Sequence, residues 1–212
     1  MTQRKIGITG GIGSGKSFVS AILMEDFGIP VYDCDSAAKR IIAADAEIQR
    51  CLKELVNRGS AFGKELMQQE LKQQELTRKR LAEYLFKNEK NARNVNAIVH
   101  PAVFRNFCEW AERQKQPIVA IESAILFESG FSEIVDSIIF VDAEEHVRLK
   151  RAMQRDCATE QQIRARMKMQ HPERFRPLAD FVVDNGTDGS ATLREQLADI
   201  IRQIETNDKT KL

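Results

Sequence analysis

The chain has 212 residues, 42% hydrophobic and 30% charged, with a formal net charge of +1. That length buries a real core, as one domain or as one domain carrying an insertion. The near-zero charge argues against a nucleic-acid partner, no apolar run is long enough for a membrane span, and MTQRKIGITG lacks the apolar stretch of a secretory signal.

The four cysteines, Cys34, Cys51, Cys108 and Cys157, form no C-x-x-C pair, and His100, His146 and His171 are equally dispersed. Neither a disulfide frame nor a zinc site is expected, and the cytoplasm is the expected compartment. Oligomeric state stays open.

Residues 4–9, RKIGIT, predict a short buried strand with Ile6 and Ile8 on one face. GGIGSGKS follows at once. From Lys16 the period changes to that of a helix, with Val19, Ile22, Leu23 and Phe27 on one side and Gly28 and Pro30 ending it. Gly10, four residues, Gly15, Lys16 and Ser17 make a complete P-loop in the strand–turn–helix context it requires. Glycine lets successive N–H groups point into one concavity, and the helix N-terminus adds partial positive charge. Lys16 then reaches the β- and γ-phosphates of ATP while the Ser17 hydroxyl takes a place on Mg²⁺. Gly11, Ile12, Gly13, Ser14, Gly15, Lys16, Ser17 and Phe18 form the expected donor-nucleotide set. No D-x-x-G or N-K-x-D segment accompanies them, which weakens a regulatory GTPase. A short chain with an early P-loop suits a small-molecule kinase.

Val31 and Tyr32 predict a second strand, with Asp33 and Asp35 at its C-terminal end, the end that faces the ligand crevice in a parallel sheet. Both carboxylates suit either general-base work on an acceptor hydroxyl or outer contacts to Mg²⁺, and Asp33, tied to the strand end, is the functional candidate. Asp35 has two readings, the same work or the cap of the following SAAKRIIAA helix. Residues 36–116 read almost wholly as helix, with Gly59 as a stop and Pro101 opening a new helix after His100. Of the basic run Arg78, Lys79 and Arg80, the last two read as a solvated face.

Sheet character returns at 118–121, 135–143 and 180–185, separated by helical patterns. The fold class is therefore α/β, a P-loop kinase core with a parallel sheet flanked by helices. The all-helical insertion at 36–116 is where small-molecule kinases of this fold place their acceptor domain. The core would comprise 1–35 and 117–206. Within it, residues 144–172 carry Arg148, Lys150, Arg151, Arg155, Arg164, Arg166 and Lys168 against few acids. They read as a lid, with Arg155 at the turn between its helices offering a guanidinium to the transferring phosphoryl group. Asn185 and Gly186 follow the last strand, where their backbone approaches a nucleobase. An amphipathic helix closes the fold, and TNDKTKL should fray.

These segments resemble the dephospho-coenzyme A kinase family. ITGGIGSGKS is similar to its P-loop, DCDSAAKR to its D-x-D-x-x-A-R segment, LTRKRLAEYLF to its L-x-R-x-x-L-x-x-x-x-F helix and NAIVHP to its His-Pro turn. AILFESG is similar to its P-L-L-F-E strand end, KRAMQRD to its lid and ADFVVDN to its final strand. They occur in family order over about residues 6–186. The resemblance implies transfer of the ATP γ-phosphoryl group to the ribose 3′-hydroxyl of dephospho-CoA, with Mg²⁺ as cofactor. It also implies Asp33 as base, Arg155 as lid arginine, and Asp35, Lys39, Arg78 and His100 on the acceptor side. Lys39 stands where the family usually has arginine, which removes a bidentate phosphate contact. Ala124 replaces a common proline. Glu122 has two readings, a water-mediated hold on Mg²⁺ or a pairing with a lid arginine. The rivals are a kinase of another small molecule, such as a nucleoside monophosphate, and a nucleotide-dependent binding module without acceptor.

Overall fold

The computed structural model describes residues 3–58, 80–81, 83–85, 88–186 and 190–206. Arg78 and Lys79, the Gly59 stop and the tail from Asn207 lie outside the described residues.

Five strands form one parallel sheet: β1 Arg4–Thr9, β2 Val31–Asp33, β3 Ile118–Glu122, β4 Ser137–Asp142 and β5 Phe181–Asp184. Their spatial order is β2-β3-β1-β4-β5. β1 sits at the centre because it is apolar on both faces: from Ile6 to Thr9 every residue is buried. Parallel strands need helical crossovers, and the sequence supplies them. Helix α1, Lys16–Phe27, starts directly after the glycine turn and stops at Gly28, whose φ of 64° carries the chain out of the helix.

Helix α1 and the last helix, α8 (Ser190–Thr206), cover one face of the sheet. Ile22 and Leu23 of α1 and Leu193, Leu197 and Ile201 of α8 join Ile6, Ile8, Ile139 and Val183 of the strands in one buried cluster. Each such side chain contributes about 1.5–3 kcal/mol relative to exposure, which makes this cluster the stable platform beneath the turn.

The chain divides into two compact units, 1–34 with 109–212, and 35–108. The second unit is helical: most of α2 (Cys34–Ala44), α3 (Ala46–Arg58) and most of α4 (Glu89–Glu112). Asp45 starts α3 by accepting from the Glu47 and Ile48 amides at 2.9 and 3.0 Å.

Pro101 does not open a helix; it lies inside α4, which runs on through it. An internal proline costs about 3 kcal/mol. Val95, Val99, Val103, Phe107 and Ala111 recur every four residues and are all buried, so one apolar stripe crosses the proline and holds the helix continuous. Asp35 likewise does not cap α2. It lies in the first turn of a helix that begins at Cys34, where its charge favours the N-terminus.

After β4 come α5 (Glu145–Asp156), α6 (Glu160–Met167) and the short α7 (Pro172–Phe175). Thr159 and Gln162 form a capping box that fixes the turn between α5 and α6. Leu149, Ala152 and Ile163 form a small core between these two helices. No described helix is long and apolar enough to cross a membrane. The four cysteines are free thiols, buried at Cys34 and exposed at Cys157.

Candidate active site

The turn after β1 emerges at the C-terminal edge of the sheet. Gly15, at φ 94°, is the residue that starts α1, a conformation that L side chains rarely adopt. A Cβ there would also collide with the Asn185 carboxamide. The amides of Lys16 and Ser17 belong to the first turn of α1, the helix end whose partial positive charge attracts anions. Three amides of the expected set are already engaged. Ile12 N–H donates to Gln170 Oε1 at 2.7 Å and Ser14 N–H to the Gly11 carbonyl at 3.1 Å. The Phe18 amide donates to Gly15 O, and its ring is exposed.

Lys16 folds back over the turn, its Nζ 3.0 Å from Gly10 O and 3.2 Å from Gly11 O. The ammonium therefore lies against the backbone of the glycine turn. Ser17 Oγ donates to Glu122 Oε1 at 3.0 Å, and Ser20 Oγ to Glu122 Oε2 at 2.8 Å. Glu122 is the last residue of β3, and the strand register pairs it with Asp33 at the end of β2 and with Ile8 on β1. Two carboxylates thus stand side by side at the edge where the turn opens. Asp33 is solvent-exposed; Tyr32 behind it is buried, its ring 5.4 Å from that of Trp110.

A second set of contacts surrounds Asn185. Its carboxamide donates to Ser14 O at 2.7 Å, and its backbone N–H to Asp142 O at 2.8 Å. Arg151, on α5, donates to the carbonyls of Asn185 and Gly186 at 2.7 and 3.0 Å. The backbone expected to face a nucleobase is therefore also the point where α5, β5 and the glycine turn are tied together.

Arg155 lies in the last turn of α5, with Nε 2.8 Å from Asp156 Oδ1. That hydrogen bond, with Arg166 on the other side, holds the Asp156 carboxyl below the usual carboxylate range. Asp35, Lys39 and His100 belong to the second unit. Asp35 and Lys39 are exposed and four residues apart on α2, hence on one face of it. Burial pushes the His100 imidazole below its ordinary pKa. Among the described residues, no three His, Cys, Asp or Glu side chains gather into a metal cluster.

Glu122, open to two readings from its sequence position, here takes a third part: it orients the Ser17 and Ser20 hydroxyls. Ser17 and Ser20 lie one turn apart on α1, but nothing in the sequence names Glu122 as their shared partner. Arg151 and Gln170 were missed as clamps because their partners are more than thirty and more than one hundred and fifty residues away.

A family model described as dephospho-CoA kinase matches residues 4–191. A Porphyromonas gingivalis protein named dephospho-CoA kinase is 41% identical over 201 residues, covering 95% of this chain and 93% of its own. The chain belongs to the dephospho-CoA kinase family. A solved structure from Thermus thermophilus is 31% identical, covers 96% of this chain and 98% of its own, and superposes with a TM-score of 0.76. A solved dephospho-CoA kinase from Campylobacter jejuni, at 23% identity and a TM-score of 0.60 over 98% of this chain and all of its own, shares the fold. The glycine turn, both strand-end carboxylates and Asn185 all lie within the matched segment of this dephospho-CoA kinase family member.

Proposed function

We propose that this chain transfers the γ-phosphoryl group of ATP to the ribose 3′-hydroxyl of dephospho-CoA, giving coenzyme A and ADP. The observation that carries the reading is the meeting of a complete phosphate turn with two strand-end carboxylates at one sheet edge, in a chain of this family.

The chemistry needs positioning and charge compensation more than covalent help from the protein. Lys16 and the first amides of α1 hold the triphosphate. Asp33 orients the acceptor hydroxyl and takes its proton as the new O–P bond forms and the bond from the γ-phosphorus to the bridging oxygen breaks. Arg155, on leaving Asp156, brings a guanidinium to the transferring group.

Ser17 offers a hard oxygen atom of the kind Mg²⁺ prefers and is the residue that would hold it, with Glu122 behind it as an outer partner. When bound, Mg²⁺ neutralises charge on the β- and γ-phosphates. Glu122 fixes the Ser17 hydroxyl for that task. In this reading residues 144–172 act as the lid, and Asn185 and Gly186 border the base. The helical unit binds the acceptor through Asp35, Lys39, Arg78 and His100, and the protein works in the cytoplasm without nucleic acid.

Mass spectrometry of an acceptor panel incubated with enzyme and Mg·ATP tests the proposal. Dephospho-CoA should gain one phosphoryl group, while shikimate, gluconate and nucleoside monophosphates remain unchanged. Phosphorylation of another member of the panel, with dephospho-CoA untouched, would overturn it.

A further inference from the structure

The arginines of the helical segment after β4 differ in what they touch. Arg151 is bound to two carbonyls, Arg155 and Arg166 to Asp156, Arg164 to Glu145 and Glu160, and Arg176 to Asp142. Arg148 is half-buried, and among the described residues no hydrogen bond or ion pair engages its guanidinium. Leaving a partly desolvated charge without an anion is unfavourable, so the site is built for one.

The place where that guanidinium lies is specific. A Cβ added to Gly11 would collide with Arg148 Nη1, and one added to Gly13 would collide with the Arg148 carbonyl oxygen. Helix α5 is thus seated on the phosphate turn through this residue. Lys16 Nζ bonds to the carbonyl of the same Gly11, so two cationic side chains reach one stretch of the turn. A cavity of about 130 Å³ opens there, lined by Gly11, Asp142, Arg148, Pro172, Glu173 and Arg176. Its two carboxylates already have partners, Asp142 in Arg176 and Glu173 in His171. Arg148 is the cation left to meet an incoming anion.

We infer that Arg148 contacts the terminal phosphates of the donor nucleotide together with Lys16. The inference rests on the kinase reading for the identity of the nucleotide. It makes Arg148 a substrate-contacting residue of the lid, distinct from Arg155 seven residues further along the same helix.

Equilibrium binding of ATP, ADP and AMP without acceptor tests it, on wild type, Arg148→Ala, Arg148→Gln and Arg148→Lys. Loss of a charge-assisted contact should weaken ATP by about 10- to 100-fold. AMP, which carries no terminal phosphate, should bind as before, and the lysine variant should recover part of the loss. Equal weakening of all three nucleotides, or no change for ATP, would overturn the inference. Arg148→Gln keeps most of the stem and supplies the same comparison if the alanine variant unfolds. Because binding is read without transfer, failure of the kinase reading would show separately, as wild-type enzyme that binds ATP and phosphorylates nothing.

Discussion

The Glu122 carboxylate accepts a hydrogen bond from the Ser17 hydroxyl at 3.0 Å, across 105 residues of sequence. Ser20 binds the other oxygen, so the carboxylate cannot rotate freely and the serine hydroxyl is held in one direction. Such outer contacts are worth about 10- to 100-fold in metal affinity or activity. Glu122→Ala should lower kcat by that order and raise the Mg²⁺ concentration needed for half-maximal rate, with Glu122→Gln less affected. A Mg²⁺ titration of the initial rate checks this. An unchanged Mg²⁺ requirement would reduce Glu122 to a packing role.

Asp33→Asn separates a kinase from a module that only binds nucleotide. Asparagine keeps the shape but takes no proton near neutrality, and general-base contributions are about 10²- to 10⁴-fold. The lower half of that range is expected, since positioning dominates phosphoryl transfer. The ATP dissociation constant should barely change. Transfer at nearly the wild-type rate would remove Asp33 from the chemistry and turn attention to Asp35.

Ser14 is fully buried, and its hydroxyl has no hydrogen-bond partner among the described residues. A buried, unsatisfied hydroxyl costs about 1–3 kcal/mol. Ser14→Ala should therefore raise Tm, by about 2–4 °C per kcal/mol at this size, while the Ser14 amide and carbonyl keep their contacts. Calorimetry reads the shift. A lower Tm would mean that the hydroxyl does stabilising work in the folded protein.

His100 gives a pH dependence with a definite sign. Burial disfavours its charged form, so its folded pKa lies below the unfolded value of about 6.5. The unfolded chain binds the proton first. His100 thus costs no stability above that value, and stability is lost as pH falls from there toward the folded pKa. His100→Gln should flatten the fall in stability that wild type shows as pH drops below about 6.5. Parallel profiles for the two proteins would contradict this.

Local chemistry explains what could be read before folding. β1, the glycine turn and α1 announce themselves because glycine spacing, an apolar strand and a change of period all fall within thirty residues. The strands at 118–122 and 137–142 read from continuous apolar runs, as expected of strands covered on both faces, and 181–184 from a shorter run at the sheet edge, where Val182 is exposed. Pro101 misleads because its local preference is for a helix start, while the stripe through Val99 and Val103 acts over a longer range. The Glu122–Ser17–Ser20 and Arg151–Asn185 contacts were not legible, since each joins residues that only the sheet order brings together. Arg148 gave a faint signal, lying three and seven residues before Arg151 and Arg155 and so on their face of α5.

The most direct test of the central claim is phosphorus NMR of a reaction holding enzyme, Mg·ATP and dephospho-CoA, with Lys16→Ala run alongside. One ADP should appear for each new phosphomonoester, placed at the ribose 3′ position, and both signals should be lost in the lysine variant because the charge facing the β- and γ-phosphates is gone. Release of inorganic phosphate with dephospho-CoA unaltered, or wild-type turnover by Lys16→Ala, would contradict it.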